Sequence, residues 1–178
     1  MSEKRDVLGK AKGEMRLSER ITDSIPGFRG YKEKELRRES DKLIRNHLYL
    51  KLLKMKKDLR SIFQKLSDRR YLDVLTDMDR LVAKTDRLSY KVNHASYGYS
   101  GFFDVVKVKE ENLDRMIDFD NVLVGEVESL MADVSAFKAD ITKGETKNVK
   151  ENILNLIDKV DAFEEAFDKR KEVIIGVT

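Results

Sequence analysis

The chain has 178 residues, which suits one ordinary domain or one extended bundle. It contains no cysteine, and this excludes disulfides, thiolate nucleophiles and cysteine-type zinc sites. Charged residues make up 39% of the chain and hydrophobic residues 40%, a balance typical of exposed helices rather than of sheets. Because no apolar run reaches the roughly 18–20 residues that span a bilayer, and because the N-terminus is too charged for a signal peptide, we expect a cytoplasmic protein without a transmembrane segment.

The net charge of +3 conceals an asymmetry along the chain. Residues 1–60 hold 18 Lys and Arg against 10 Asp and Glu, whereas residues 101–178 hold 11 against 18. A basic first third can bind an anionic partner, a membrane surface or the acidic part of a second copy. Opposite charges on neighbouring helices of one bundle explain the same counts.

Two glycine-rich segments with aromatic residues interrupt the helical stretches. Residues 25–31 hold the only proline and two glycines, which predict a turn. Residues 97–104 hold four aromatic residues and two glycines. Residues 1–24, which mix charged and apolar positions, are predicted to form a flexible N-terminal arm, with a weak helix from about Glu14 to Ile21 as the alternative.

Helices are predicted at about residues 32–67, 71–95, 109–141 and 146–170. Within each, a seam of residues recurs at alternating steps of four and three, the period of a coiled coil. The seams are Leu48, Leu52, Met55, Leu59, Ile62 and Leu66; Val74, Met78, Leu81, Thr85, Leu88, Val92 and Ala95; Met116, Asp120, Leu123, Val127, Leu130, Val134, Phe137 and Ile141; and Val149, Ile153, Leu156, Val160, Phe163 and Phe167.

These seams predict an all-α fold, an elongated antiparallel four-helix coiled-coil bundle with down-up-down-up connectivity. The bundle spans residues 25–170, with Gly144 ending the third helix and Thr146 as a candidate N-cap of the fourth. Residues 171–178 are predicted to be an extended C-terminal tail. The connectivity puts both aromatic segments and this tail at the same end of the bundle, where residues 97–104 either pack against Phe28 and Tyr31 as a structural clasp or stay exposed as a site.

One seam position, Asp120, is charged, and extending the first seam backwards reaches Arg45 and Asp41. Both Arg45 and Asp120 fall the same distance from the aromatic end, so we expect them to meet or to share a polar core layer with Tyr90 or His94 nearby. A lone buried aspartate is costly, whereas a paired one fixes the register of helices.

Motifs for catalysis or cofactor binding are weak. Ser100 lies in Gly98-Tyr-Ser-Gly101, but Phe102 replaces the second glycine that a nucleophile elbow needs. His47 and His94 lack the Glu-x-x-His spacing of a di-metal bundle. The acidic residues that open the third helix fit a solvated face, with weak divalent-cation binding as the alternative; they are Glu110, Glu111, Asp114, Asp118 and Asp120. We therefore predict no enzyme activity, no metal and no cofactor.

The two segments IPGFRGYKEKELRRE (25–39) and YGYSGFFD (97–104) resemble motifs of an uncharacterised family of small all-helical prokaryotic proteins. The resemblance covers about residues 25–130. It implies that the two motifs occur together, and it implies no activity, substrate or catalytic residue.

Two hypotheses for function follow. The first is a non-enzymatic interaction or scaffold module that docks a protein partner through aromatic residues of its glycine-rich end, namely Phe28, Tyr31, Tyr97, Tyr99, Phe102 and Phe103. The alternative is a polyanion binder, for nucleic acid or an anionic membrane surface, that uses the basic first helix through Arg37, Arg38, Lys51, Lys54, Lys56, Lys57 and Arg60. Homo-oligomers are open too, since such seams close within one chain or between two.

Overall fold

The computed structural model describes residues 25–27, 34–95 and 110–175. Regular structure in these ranges consists of four α-helices: α1 Lys34–Asp68, α2 Leu72–His94, α3 Glu110–Lys143 and α4 Val149–Ile175. The helices pack as a bundle, and the predicted all-α bundle class is confirmed.

The heptad seams form the core of this bundle. Within the four seams, every residue is at most 5% exposed except Ala95, which follows the end of α2 and is half-buried; Arg45, on the backward extension of the first seam, is half-buried as well. Removing a Leu, Ile or Phe side chain from water contributes about 1.5–3 kcal/mol. Burial of the seams is therefore the main force that holds the helices together.

Contacts divide the chain into two compact units. Unit 1 comprises Met1–His47, Ser96–Val124 and Asp168–Thr178. Unit 2 comprises Leu48–Ala95 and Gly125–Phe167.

Ion pairs between helices establish the order of the helices in unit 2. They join α1 to α2 and α3, and α4 to α2 and α3; the pairs are Lys56–Asp86, Lys51–Glu128, Lys138–Asp58, Lys84–Asp161, Lys91–Glu164 and Lys159–Asp133. Lys51 and Asp58 of α1 pair with Glu128 and Lys138 of α3, so residue numbers increase in the same direction along both helices and α1 is parallel to α3. The pairs Lys84–Asp161 and Lys91–Glu164 show in the same way that α2 is parallel to α4. Short turns make α1 antiparallel to α2 and α3 antiparallel to α4. The order around the core is α1, α2, α4, α3.

The same C-terminal turn ends α1 and α3 in unit 2. After α1, Tyr71 N donates to Leu66 O over 3.0 Å and Arg70 N donates to Ser67 O over 2.9 Å. After α3, Glu145 N donates to Asp140 O over 2.9 Å, and Gly144 N donates to Ile141 O over 3.2 Å. Both are Schellman motifs, which place one residue in the left-handed region. That residue is Gly144, with φ 87°, in one turn and Arg70, with φ 61°, in the other.

The seam of α1 differs from the prediction near the helix start. Ile44 is 0% exposed, whereas Arg45, the predicted seam residue, is only half-buried. Buried residues therefore follow as Asp41, Ile44, Leu48 and Leu52, with steps of three, four and four. The eleven residue steps from Asp41 to Leu52 correspond to three helical turns, and this ratio is close to the number of residues per turn of a straight α-helix. This stretch therefore follows the natural helical repeat instead of the strict heptad.

The ends of α4 also differ from the prediction. The helix begins at Val149, after Asn148, so Thr146 does not cap it. It continues to Ile175, and the prediction of an extended tail is wrong for residues 171–175. The predicted N-terminal arm, residues 1–24, lies outside the described residues.

Candidate functional site

A buried cluster of charged side chains in unit 1 joins three helices. Arg170 of α4 and Asp120 of α3 are each 1% exposed, and Asp41 of α1 is 0% exposed. Arg170 Nε donates to Asp120 Oδ1 over 2.6 Å, and Arg170 Nη2 donates to Asp120 Oδ2 over 3.1 Å. Arg170 Nη1 donates to Asp41 Oδ1. One guanidinium group therefore bridges carboxylates from two other helices, with the two-point geometry that makes such pairs strong.

Arg45 balances the charge of the cluster. Its Nε donates to Asp41 Oδ2 over 2.8 Å, and its side chain is 13% exposed. Two carboxylates thus face two guanidinium groups. Because desolvating an unpaired charge costs several kcal/mol, the buried Asp41, Asp120 and Arg170 depend on these ion pairs for their stability in the core.

The partner of Asp120 was missed from the sequence. Arg45 and Asp120 do belong to the same cluster, but they are linked through Asp41 and Arg170. A signal for Arg170 was present: it lies three residues after Phe167, at the next step of the seam of α4. The prediction ended the helix at that residue, and so did not place its side chain in the core.

Tyr90 and His94 are not part of a buried layer, and that part of the prediction is wrong. Tyr90 is 64% exposed, and His94 is exposed as well. Their rings stack with centroids 3.9 Å apart, one helical turn from each other on α2. The two residues therefore form a small aromatic surface feature, because their positions fall outside the seam.

The chemistry open to the cluster is limited by its burial. Both aspartates are covered by guanidinium groups and are at most 1% exposed, so a solute has no access to them. What the geometry shows is a link between α1, α3 and α4 through one guanidinium group. Within the described ranges, no group of three or more His, Asp or Glu side chains is arranged to hold a metal ion.

The candidate partner-binding residues lie outside the described residues; these are Phe28, Tyr31, Tyr97, Tyr99, Phe102 and Phe103. The side chains of two candidate polyanion residues, Arg37 and Arg38, lie outside them too. The other five divide into two groups. Lys51 and Lys56 form ion pairs with Glu128 and Asp86. Lys54, Lys57 and Arg60 are exposed.

A second unusual carboxylate belongs to Glu126 of α3, in unit 2. Its Oε2 is buried, and no group of the described chain donates a hydrogen bond to that oxygen. Burial raises the pKa of Glu126 above its ordinary value of 4.5. Nothing in the sequence pattern marked this residue, because Glu is common on the flanks of helical seams.

None of the helices in residues 34–95 and 110–175 combines the length and apolar character needed to cross a membrane. Comparisons with protein-family models, curated proteins and solved structures found no match to this chain.

Proposed function

We propose that this chain is a non-enzymatic helical interaction module that binds a protein partner through its two aromatic, glycine-rich segments, residues 25–31 and 97–104. Aromatic side chains supply large contact area at low entropic cost, and they are enriched among residues that dominate binding energy. Adjacent glycines let the backbone adapt to a partner. A cytoplasmic location suits a chain without cysteine.

The observation that carries the proposal is the bridge that Arg170 makes between Asp41 and Asp120. It fastens together the parts of α1, α3 and α4 that belong to unit 1. The start of α1 follows one aromatic segment in the chain, and the start of α3 follows the other. A base of fixed geometry lowers the entropy lost on binding, which favours a recognition surface.

The turn at residues 25–27 supports the same interpretation. Ile25 is 2% exposed, and Gly27 has φ 87°. A Cβ at Gly27 would lie 3.7 Å from Leu43 Cδ1, so the turn packs on the side of α1. The first aromatic segment therefore begins from a point anchored on unit 1.

Affinity purification of the full-length tagged chain from its native cells, after crosslinking, tests the proposal. The test variant carries Tyr97→Ser, Tyr99→Ser, Phe102→Ser and Phe103→Ser. The matched control carries Leu72→Ser and Tyr90→Ser, which remove two exposed apolar side chains of α2 at 69% and 64% exposure. Circular dichroism verifies that both variants fold.

We expect a specific protein to be recovered with the wild type and the control, and to be lost with the test variant. Recovery should survive nuclease treatment and moderate salt. Equal recovery with both variants, or loss of the bound protein on nuclease treatment, would overturn the proposal.

A further inference from the structure

The outward face of α1 in unit 2 carries cations that the bundle does not use. Lys54, Lys57 and Arg60 are exposed, and within the described chain none of them forms an ion pair or a side-chain hydrogen bond. Their neighbours behave differently. Lys51 and Lys56 pair with carboxylates of α3 and α2, and Asp58 pairs with Lys138.

The carboxylates near this face already form ion pairs with other lysines. Glu128, Asp86 and Asp58 each have a lysine partner, so they do not neutralise Lys54, Lys57 or Arg60. A groove of about 340 Å³ beside this face is lined by side chains of α1 and α3, namely Lys51, Lys54, Asp58, Glu128, Met131, Ala132 and Ser135. Lys54, Lys57 and Arg60 therefore present three exposed positive charges, none of which has an ion-pair partner within the described chain.

The spacing suits a linear anion. Successive residues of the set are three apart, which places them about 4.5 Å from each other along the helix axis. Long flexible side chains at that spacing can each reach a different phosphate of one backbone. Gln64, which follows on the exposed face, is uncharged, and the next exposed carboxylate along α1 is Asp68.

The composition of the face favours a nucleic acid over a lipid surface. Binding to membranes requires a large apolar area that enters the interface beside the basic residues. Here Leu50, at 55% exposure, is the large exposed apolar residue of α1 in the described chain, and it lies outside the apolar seam of the helix, which is buried. The aromatic residues of α1 in the described chain, Tyr49 and Phe63, are half-buried, so they offer no fully exposed ring on which bases could stack, and a duplex backbone fits better than unpaired bases.

We propose that Lys54, Lys57 and Arg60 bind the phosphodiester backbone of duplex nucleic acid without reading its sequence. Three phosphate contacts release about three counterions, so the logarithm of the association constant should fall with the logarithm of salt concentration with a slope of about −2.7. The dissociation constant should lie at roughly 10⁻⁴ to 10⁻⁶ M near physiological salt, the range of non-specific binding.

Fluorescence anisotropy of the full-length chain with a labelled 24-base-pair DNA duplex, in 50 to 200 mM KCl, tests this proposal. The test variant is Lys54→Gln, Lys57→Gln and Arg60→Gln. The matched control is Lys143→Gln, Lys147→Gln and Lys150→Gln, which removes the same charge from three exposed positions at the end of α3, in the α3–α4 turn and at the start of α4. Circular dichroism and thermal unfolding establish that both variants keep the fold.

We expect the test variant to lose at least about tenfold in affinity at 50 mM KCl, with a flatter salt slope, and the control to stay within about twofold of the wild type. Equal losses in the two variants would show that net charge alone is responsible, and would overturn the proposal. So would a wild type that does not bind the duplex at 50 mM KCl.

Two further measurements separate other partners from nucleic acid. Co-sedimentation with vesicles of phosphatidylserine and phosphatidylcholine reports on a lipid surface, and sedimentation velocity without DNA reports on a second copy. Binding to vesicles but not to the duplex would overturn the proposal, as would self-association that disappears in the test variant. Duplex binding in the absence of both supports it.

Discussion

Arg170 and Asp120 form a buried ion pair with two hydrogen bonds between α4 and α3, although 50 residues separate them in the chain. The pair interrupts seams that are otherwise Leu, Ile, Val, Met and Phe. Replacing buried ion pairs with apolar residues is often neutral or stabilising, so stability alone does not account for this cluster. A charged layer does, however, penalise any sliding of one helix along another, because sliding would leave a buried charge without its partner.

The first prediction concerns Arg170→Met. This change keeps a long side chain in the core but leaves Asp41 and Asp120 without the guanidinium group that bridges them. We expect a loss of about 3–5 kcal/mol in the free energy of unfolding, measured by urea denaturation followed by circular dichroism. Lys169→Met, at the exposed neighbouring position, should change stability by less than about 0.5 kcal/mol.

A triple variant distinguishes register from stability. Asp41→Leu, Asp120→Leu and Arg170→Met together remove the three charges that are at most 1% exposed, while Arg45, whose side chain is 13% exposed, keeps its charge at the edge of the layer. Most of the loss caused by Arg170→Met should therefore be recovered. If the cluster fixes the register, this variant should also show broadened or doubled amide signals in unit 1. Sharp, single signals at wild-type stability would contradict a role in register.

A second prediction tests the phase of α1 near its start. Ile44→Ala should cost about 2–5 kcal/mol, since Ile44 is completely buried. Leu43→Ala, at a half-buried position, should cost clearly less. Equal losses in the two unfolding experiments would indicate that the strict heptad extends through this region after all.

Periodicity predicted the helices and their buried faces because contacts within a bundle repeat with the helical turn. Leu59 and Phe163, for example, are buried as their seams required. The partner of Asp120 was harder, since it depends on the axial register of helices that are distant in sequence. With 36 Lys and Arg in the chain, composition could not single out Arg170.

Local turn chemistry was predictable only in part. Gly144 signalled the end of α3, because glycine is the usual residue in the left-handed position of a Schellman motif. Arg70 holds the same position after α1 but carries no such signal.

A third prediction concerns pH and Glu126. Because burial raises its pKa, the folded chain holds this proton more tightly than the unfolded chain does. Below the ordinary value of 4.5 the carboxyl is protonated in both states, and its contribution to stability is fully present. That contribution is lost as the pH rises through the raised pKa of the folded state, since the buried oxygen must then carry charge.

Glu126→Gln removes this ionisation, so we expect the variant to gain stability relative to the wild type as the pH rises from 4 to 7.5. Comparing two chains at each pH cancels the titration of all other groups. Glu128→Gln is the control, because that carboxylate is exposed and pairs with Lys51; its loss should cost about 0–1 kcal/mol. The prediction would be refuted if the difference in the free energy of unfolding between Glu126→Gln and the wild type stayed constant with pH.

The fourth prediction uses the two Schellman motifs as a matched pair. Arg70 has φ 61°, a conformation that costs an L residue roughly 1–2 kcal/mol and costs glycine almost nothing. Arg70→Gly should therefore stabilise the protein by up to about 1 kcal/mol, part of the gain being offset by the greater freedom of glycine in the unfolded chain. Gly144→Ala should destabilise it by about 1 kcal/mol for the same reason in reverse. Thermal unfolding measures both effects.

Arg69→Gly provides the control. The guanidinium group of Arg69 donates to Ile141 O over 2.5 Å, so removing this side chain should destabilise the turn. Stabilisation by Arg69→Gly, or a loss with Arg70→Gly, would mean that side-chain contacts outweigh backbone strain at this turn.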